Sequence, residues 1–375
     1  MSDLASQPII AGPVEVSLSD VESTLSRLLR EADAPCDTPL HRARMSNLII
    51  HCQTSERAAE VEPMIPEIVS IHPARVLLLV ADDHSGSPEI QASALVRKAG
   101  REAQLCSEQI TLRGGRHAVE HLPFAVRGLQ IGDLPTNVWW TNPVPPALAG
   151  PILDDLTEYA QQVIYDSLGW PDPHRGVAAT AAWLARFERD GSEGRWRVAS
   201  DLNWRRLKPW RRMIGQALAP TATPGALDTV SEILVEHGPH AVTQAWQLAG
   251  WLASRLGWKI RASKLRDNVE LDFQLLAPQG ALRLRIDRLP DGPSELRRVR
   301  FSCALDGKLG ALDITGDGTR IVAIPEGMDA SPRTLAIQKL DTAEIVARQL
   351  SDREPDPVFR EAMTAARVLA QAVLY

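Results

Sequence analysis

The segment Ala74–Asp82, ARVLLLVAD, constrains the fold more than any other. Its apolar residues run without the alternation of a strand that has one face in water. Pro73 and a polar loop bound it, so it reads as a central strand of a parallel sheet. A second apolar run within Met45–Cys52, carried by Leu48, Ile49 and Ile50, reads as a neighbouring buried strand. The intervening Thr54–Ile71 has helical spacing in Ala58, Val61, Ile65 and Ile68, with Pro63 and Pro66 placed to kink or shorten it.

The flanking segments extend this pattern. Residues 1–15 read as a flexible tail, and Leu18, Val21, Leu25, Leu28 and Leu29 as a helix with Ser19 and Glu22 as a capping box. Ile90–Lys98 and Ala103–Leu112 alternate and are joined through Gly100, which predicts an antiparallel hairpin at one edge. A helix over about His117–Leu129, a strand ending in Trp139-Trp140, a helix over Leu148–Ala160 and a strand over Gln162–Asp166 follow. The expectation is a mixed, mainly parallel α/β sheet.

After Gly169-Trp170-Pro171 the periodicity changes. Helices are predicted over Ala178–Arg189, from Pro209 through Ala219, over Ala241–Leu256 up to Gly257, and over Pro357–Val373. Strands are predicted over Val230–Glu236, Val269–Leu276, around Leu282–Asp287 and around Arg298–Cys303. Their period of two describes a one-sided antiparallel sheet with a helix on its buried face. At 375 residues the chain exceeds one typical core. The predicted organisation is therefore a tail and helix over 1–44, an α/β domain over 45–170 and an α+β domain over 171–375.

Composition narrows the function. A hydrophobic content of 44% with 23% charged residues is that of an ordinary globular protein, and a net charge of −6 disfavours general nucleic-acid affinity. No apolar stretch approaches the roughly 20 residues that span a bilayer, and no targeting segment is visible, so a cytoplasmic protein without membrane or nucleic-acid partners is expected. Cys36, Cys52, Cys106 and Cys303 are far apart and form no CxxC pair, which argues against structural zinc and predicts reduced, buried thiols.

No strand is followed by GxGxxG, and GxxxxGK[ST] and GxSxG are absent, so no cofactor is implied. His117-Ala118-Val119-Glu120-His121 matches the HxxEH order of inverted zinc peptidases. Pro123 would interrupt the ligand helix and no third ligand is visible, so zinc is not expected there. The pairs Asp82-Asp83 and Asp154-Asp155 read as solvated faces, and Arg283, Arg285, Arg298 and Arg300 as an exposed cationic face.

Arg195–Arg212 is the most lopsided stretch, with three tryptophans and seven Arg/Lys against one acid, Asp201. Trp and Arg are enriched at interface hot spots, while a strand and helix start with core indoles and solvent-facing arginines would explain the stretch as well.

The segments IHPARVLLLV (71–80), LCSEQITL (105–112), GDLPTNVWW (132–140), QVIYDS (162–167), DLNWRRLKPWR (201–211) and LAGWLASRLGW (248–258) together resemble the OpcA family, the glucose-6-phosphate dehydrogenase assembly or subunit proteins. The resemblance covers roughly residues 45 to 260. It implies a non-catalytic protein that binds glucose-6-phosphate dehydrogenase and promotes its active oligomer, in cyanobacteria under thioredoxin-linked redox control. Cys106 is the one cysteine inside a matching segment. The residues that carry the resemblance, and so the candidate partner-binding set, are Trp139, Trp140, Asp201, Trp204, Arg205, Arg206, Trp210 and Arg211. The alternative is a sugar-phosphate-binding protein or enzyme whose arginines hold the phosphate.

Overall fold

A computed structural model describes residues 9–33, 40–81, 89–99, 103–115, 121–187, 197–266, 270–305 and 308–373. The first half carries β1 (Ile9–Glu15), α1 (Val21–Asp33), β2 (Leu40–Arg42), β3 (Ser46–Cys52), α2 (Ser55–Val61), α3 (Ile65–Ile71) and β4 (Ala74–Ala81). Then come β5 (Glu89–Ala99), β6 (Ala103–Gly114), α4 (Leu122–Leu129), β7 (Thr136–Trp140), α5 (Pro151–Thr157), β8 (Gln162–Tyr165) and α6 (Pro173–Phe187). The second half carries β9 (Val198–Asp201), α7 (Leu202–Arg206), α8 (Lys208–Ala217), β10 (Val230–His237), α9 (Val242–Leu256), β11 (Lys259–Arg266), β12 (Glu270–Ala277) and β13 (Gly280–Arg288). It ends with β14 (Leu296–Leu305), β15 (Lys308–Gly316), β16 (Arg320–Glu326), β17 (Arg333–Ala336), α10 (Thr342–Leu350) and α11 (Pro357–Val373).

The apolar run is β4, and it lies inside a sheet of order β1-β5-β6-β4-β3-β7-β8-β9. Val76, Leu78 and Val80 join a cluster under α2, α3 and α10, while Leu77 and Leu79 join the other face with residues of α1, α4 and α5. Helices therefore cover both faces, as the unbroken hydrophobicity requires. The strands β6-β4-β3-β7-β8-β9 are all mutually parallel. In sequence rank that order is 3-2-1-4-5-6, the doubly wound arrangement in which ligands sit where the strand order reverses, outside the carboxyl ends of the central strands.

The second sheet has the order β11-β12-β13-β10-β14-β15-β16-β17. Its inner face packs on α9 and α11, whose close approach is fixed at Gly250. A Cβ there would lie 2.2 Å from the Ala362 carbonyl oxygen. The fold is thus α/β, with a mixed, mainly parallel first sheet and a second sheet of mostly antiparallel strands.

Several expectations are corrected. Residues 9–15, read as part of a tail, form an edge strand antiparallel to β5. The turn before α1 has Ser17 at its start rather than a Ser19 capping box, and Glu22 instead reaches Arg75. The second sheet is not wholly antiparallel, because β10 runs parallel to β13. The first sheet takes β9 from beyond residue 170, and α10 returns to it from the C-terminal part by packing on α3. The arginines expected to make a cationic face are instead interleaved with acids on the same strand or on strands one or two away. Arg283 is forked onto Asp272, Arg298 onto Asp313, Arg285 meets Asp287, and Arg300 meets Glu326. That face is a ladder of ion pairs.

Among the described residues no helix is long and apolar enough to cross a membrane. His117–Glu120, Cys36 and Asp82-Asp83 lie outside the described residues.

Candidate functional site

The motif Asp201–Arg212 is a corner where β9 turns into α7 and α8 and where the two sheets meet. Asp201 caps α7, its Oδ1 accepting the backbone N–H of Asn203 at 2.9 Å and of Ser167 at 3.0 Å. Its Oδ2 accepts Gln247 Nε2 at 2.6 Å, which ties the central helix of the second layer, α9, to the first sheet. The carboxyl is buried, and loss of solvation together with the nearby Asp166 raises its pKa to about 6. Beside it, Ser200 Oγ accepts from Gln162 and Gln349, and both amides also donate to the Asp352 carbonyl. The end of α10 is thereby fixed to the edge of the parallel sheet.

All four candidate tryptophans are core. Trp139 is 1% exposed, Trp140 3%, and Trp204 and Trp210 6% each. Trp140 stacks on His51 with centroids 4.6 Å apart, and its Nε1–H is taken by the Val144 carbonyl. Trp204 packs on Phe359 and donates Nε1–H to Asp356 Oδ2 at 2.8 Å, so it pins the start of α11. Trp210 lies on Gly316 of β15, where an added Cβ would come within 2.6 Å of the ring. An indole accepts that approach only against glycine, and α8 is docked on the second sheet this way.

The arginines divide. Arg206 forks onto Asp166 with two 2.8 Å bonds, and Arg205 reaches Gln349 at 2.7 Å and Asp352 at 3.1 Å. Among the described residues Arg211 has no such carboxylate partner. Its guanidinium stacks 3.5 Å above the Trp204 ring, and among the described residues its one hydrogen bond is a long 3.4 Å contact to the Trp204 carbonyl and its buried Nε has no partner. Burial pushes its pKa down to about 10, against the pull of Asp356. It lines a cleft of about 700 Å³ together with the cations Arg205, Lys208 and Arg212, Trp251, and the acids Asp352, Glu354 and Asp356. The motif therefore converges on one guanidinium at a cleft wall, and the other candidates build its frame.

A second cleft, of about 580 Å³, opens at the switch point beyond β3, β7 and β8. In a dinucleotide-binding protein the first turn here is glycine-rich and its free N–H groups hold the pyrophosphate. Here that turn is Cys52-Gln53-Thr54-Ser55, without glycine. The Gln53 N–H is given to Asn142 Oδ1 at 2.8 Å and the Arg57 N–H to Thr54 Oγ at 3.2 Å. Arg57 Nε donates to the Thr141 carbonyl, and Asn142 Nδ2 to His51 Nδ1 at 2.9 Å. The end of β3 is laced to the end of β7 by its own side chains. His51 is buried and held neutral, its pKa lowered to about 4 chiefly by desolvation.

Two family models match the chain. Residues 66–182 match the glucose-6-phosphate dehydrogenase subunit N-terminal domain and residues 197–363 the C-terminal domain. The chain belongs to the OpcA family of glucose-6-phosphate dehydrogenase subunits. OpcA proteins of Synechocystis sp. and Synechococcus elongatus, both named OxPP cycle proteins, are each 30% identical over 196 residues. That region is 51% of this chain but 38% and 41% of those relatives, so the chain matches about two fifths of their length. Among solved structures, an oxidoreductase from Sinorhizobium meliloti superposes with a TM-score of 0.52 over 88% of this chain and 97% of that one, at 11% identity. That likeness is one of fold.

Within the OpcA matches, the first ends in α6 and the second begins at the motif corner, so the two models meet where the sheets do. The sequence reading missed Gln247, Gln349, Asp352 and Asp356, polar groups that hold the motif in place. Asp341 and Glu344 form a capping box that could have revealed α10.

Proposed function

We propose that the chain is a non-catalytic subunit of the oxidative pentose phosphate pathway that binds glucose-6-phosphate dehydrogenase in the cytoplasm and promotes its active oligomer. What supports this reading most is the first βα turn of the parallel sheet. A fold of the dehydrogenase type offers its dinucleotide a row of unpaired N–H donors at that turn, and here Asn142 takes the Gln53 N–H and Thr54 the Arg57 N–H. Removing that phosphate cradle leaves the layered scaffold and its surfaces, which is what a partner protein needs. Membership of the OpcA family, whose models are described as glucose-6-phosphate dehydrogenase subunit domains, supports that dehydrogenase as the partner.

In this reading Trp139, Trp140, Asp201, Trp204 and Trp210 support the contact surface from behind, and Arg205 and Arg206 brace it. Purified chain mixed with glucose-6-phosphate dehydrogenase of the same organism should elute as a single larger complex on size exclusion with light scattering. Calorimetry with NADP or NAD at sub-millimolar concentration should give no heat from the isolated chain. Separate elution together with stoichiometric NADP binding would replace this proposal with an enzyme.

A further inference from the structure

The cations of the motif are not equivalent. Arg205 and Arg206 each rest on a carboxylate within the chain, so their charges are answered. Arg211 carries five N–H donors on a planar fork, and a single 3.4 Å contact uses one of them. Asp356, the acid of its cleft whose charge acts on it, is already committed, with Oδ2 accepting Trp204 Nε1–H and Oδ1 accepting the Phe359 N–H. The indole beneath the guanidinium fixes its plane, so the remaining donors are presented with little rotamer freedom left to lose.

We infer that Arg211, held flat on Trp204, is the receptor for one acidic side chain of a protein partner, which enters the cleft and closes a forked ion pair with it. The charges around the cleft select this occupant. Arg205, Lys208, Arg211 and Arg212 line the same space as Asp352, Glu354 and Asp356, so the cleft offers both signs at once, which suits a mixed-charge protein surface better than a free phosphate dianion. A single carboxylate matches a single guanidinium, and a protein surface can bring basic residues toward Asp352 and Glu354 at the same time. The partner patch is therefore an Asp or Glu flanked by Lys or Arg, and the joint is polar in both directions. An Arg stacked on Trp at such a joint has the composition of an interface hot spot.

The inference rests on the reading that the partner is glucose-6-phosphate dehydrogenase, and the experiment separates the two. Full-length wild type, Arg211→Gln, Arg211→Lys and the control Arg27→Gln are titrated against the purified dehydrogenase by calorimetry at two salt concentrations, with melting temperatures recorded. Arg211→Gln should bind about thirty-fold more weakly or worse, with a shallower salt dependence. Arg211→Lys, which keeps the charge and loses the fork, should recover part of that loss, and Arg27→Gln should match wild type.

Wild type that binds with Arg211→Gln within about threefold of it would overturn the inference and leave the proposed function standing. Wild type that fails to bind would overturn both. Millimolar inorganic phosphate binding to the isolated chain, and lost in Arg211→Gln, would assign the site to a free anion and also overturn the inference. Folding does not confound the test. Arg211 is a desolvated cation with weak partners, so both variants should melt within a few degrees of wild type.

Discussion

Replacing Asp201 with asparagine should leave the protein as stable as wild type or more so at neutral pH, although the residue is buried, caps a helix and joins the two sheets. The folded carboxyl titrates at about 6 against its usual 3.8. Between those values the folded state holds a proton that the unfolded chain has released, so this group's contribution to stability falls as pH rises from about 4 through 6. Each tenfold change in proton affinity is worth about 1.4 kcal/mol, so ionised Asp201 costs the fold about 3 kcal/mol at pH 7.

Asparagine removes that cost and keeps most of the bonds. Its Oδ1 can still accept from the Ser167 and Asn203 N–H groups. Its Nδ2 would face Gln247, whose Oε1 is buried without a partner and can be turned toward it by an amide flip. His51 titrates in the opposite sense, because its lowered pKa costs stability as pH falls from 6.5 toward 4. The wild-type curve mixes these effects, and the difference between variant and wild type isolates Asp201. Urea unfolding at about pH 5 and about pH 7.5 should show the variant gaining on the order of 1 kcal/mol on wild type across that interval. A pH-independent loss of more than about 2 kcal/mol would refute the reasoning, because the N–H donors would then favour the carboxylate more than burial penalises it.

Other expectations can be checked together. Gly316→Val should lower stability by about 1–3 kcal/mol in thermal or urea unfolding, because the Trp210 ring occupies the space of the new side chain. Arg206→Gln leaves the Asp166 carboxylate unpaired near buried Asp201, so it should both destabilise the fold and raise the Asp201 pKa further, steepening the loss of stability above pH 6. Cys52, Cys106 and Cys303 are buried free thiols, with Cys106 pushed up to about 12 by burial and by Glu108. They should react with a thiol reagent only after denaturation, and rapid native labelling of any of the three, read by mass mapping, would contradict their placement.

The fold class was legible because its strongest signals are apolar runs, which report burial directly. The β4 run dictated a strand covered on both faces, and Pro63 and Pro66 marked the break between α2 and α3. The strand order could not be read, since periodicity gives an element's face but not its neighbour. The doubly wound order and the sealed first turn therefore emerged only in three dimensions. β1 was missed because an edge strand interrupted by Gly12-Pro13 draws its pairing from β5 rather than from its own pattern.

The motif was legible as unusual but not as to role. Composition cannot separate an arginine that rests on Asp166 from one stacked on an indole. Arg205 and Arg211 looked alike in sequence, and residues more than 140 positions away, Gln349, Asp352 and Asp356, make them different. On the second sheet it is nearer pairing, from 2 to 26 positions apart, that turned the expected cationic face into a ladder of ion pairs.

The most direct test of the central claim is a titration of the purified chain into a fixed, dilute amount of glucose-6-phosphate dehydrogenase from the same organism. Dehydrogenase rate and particle mass would be followed in the same samples. The account predicts that both rise together and saturate at one stoichiometry, while the chain alone reduces no NADP. A flat rate with unchanged dehydrogenase mass across the micromolar range would contradict it.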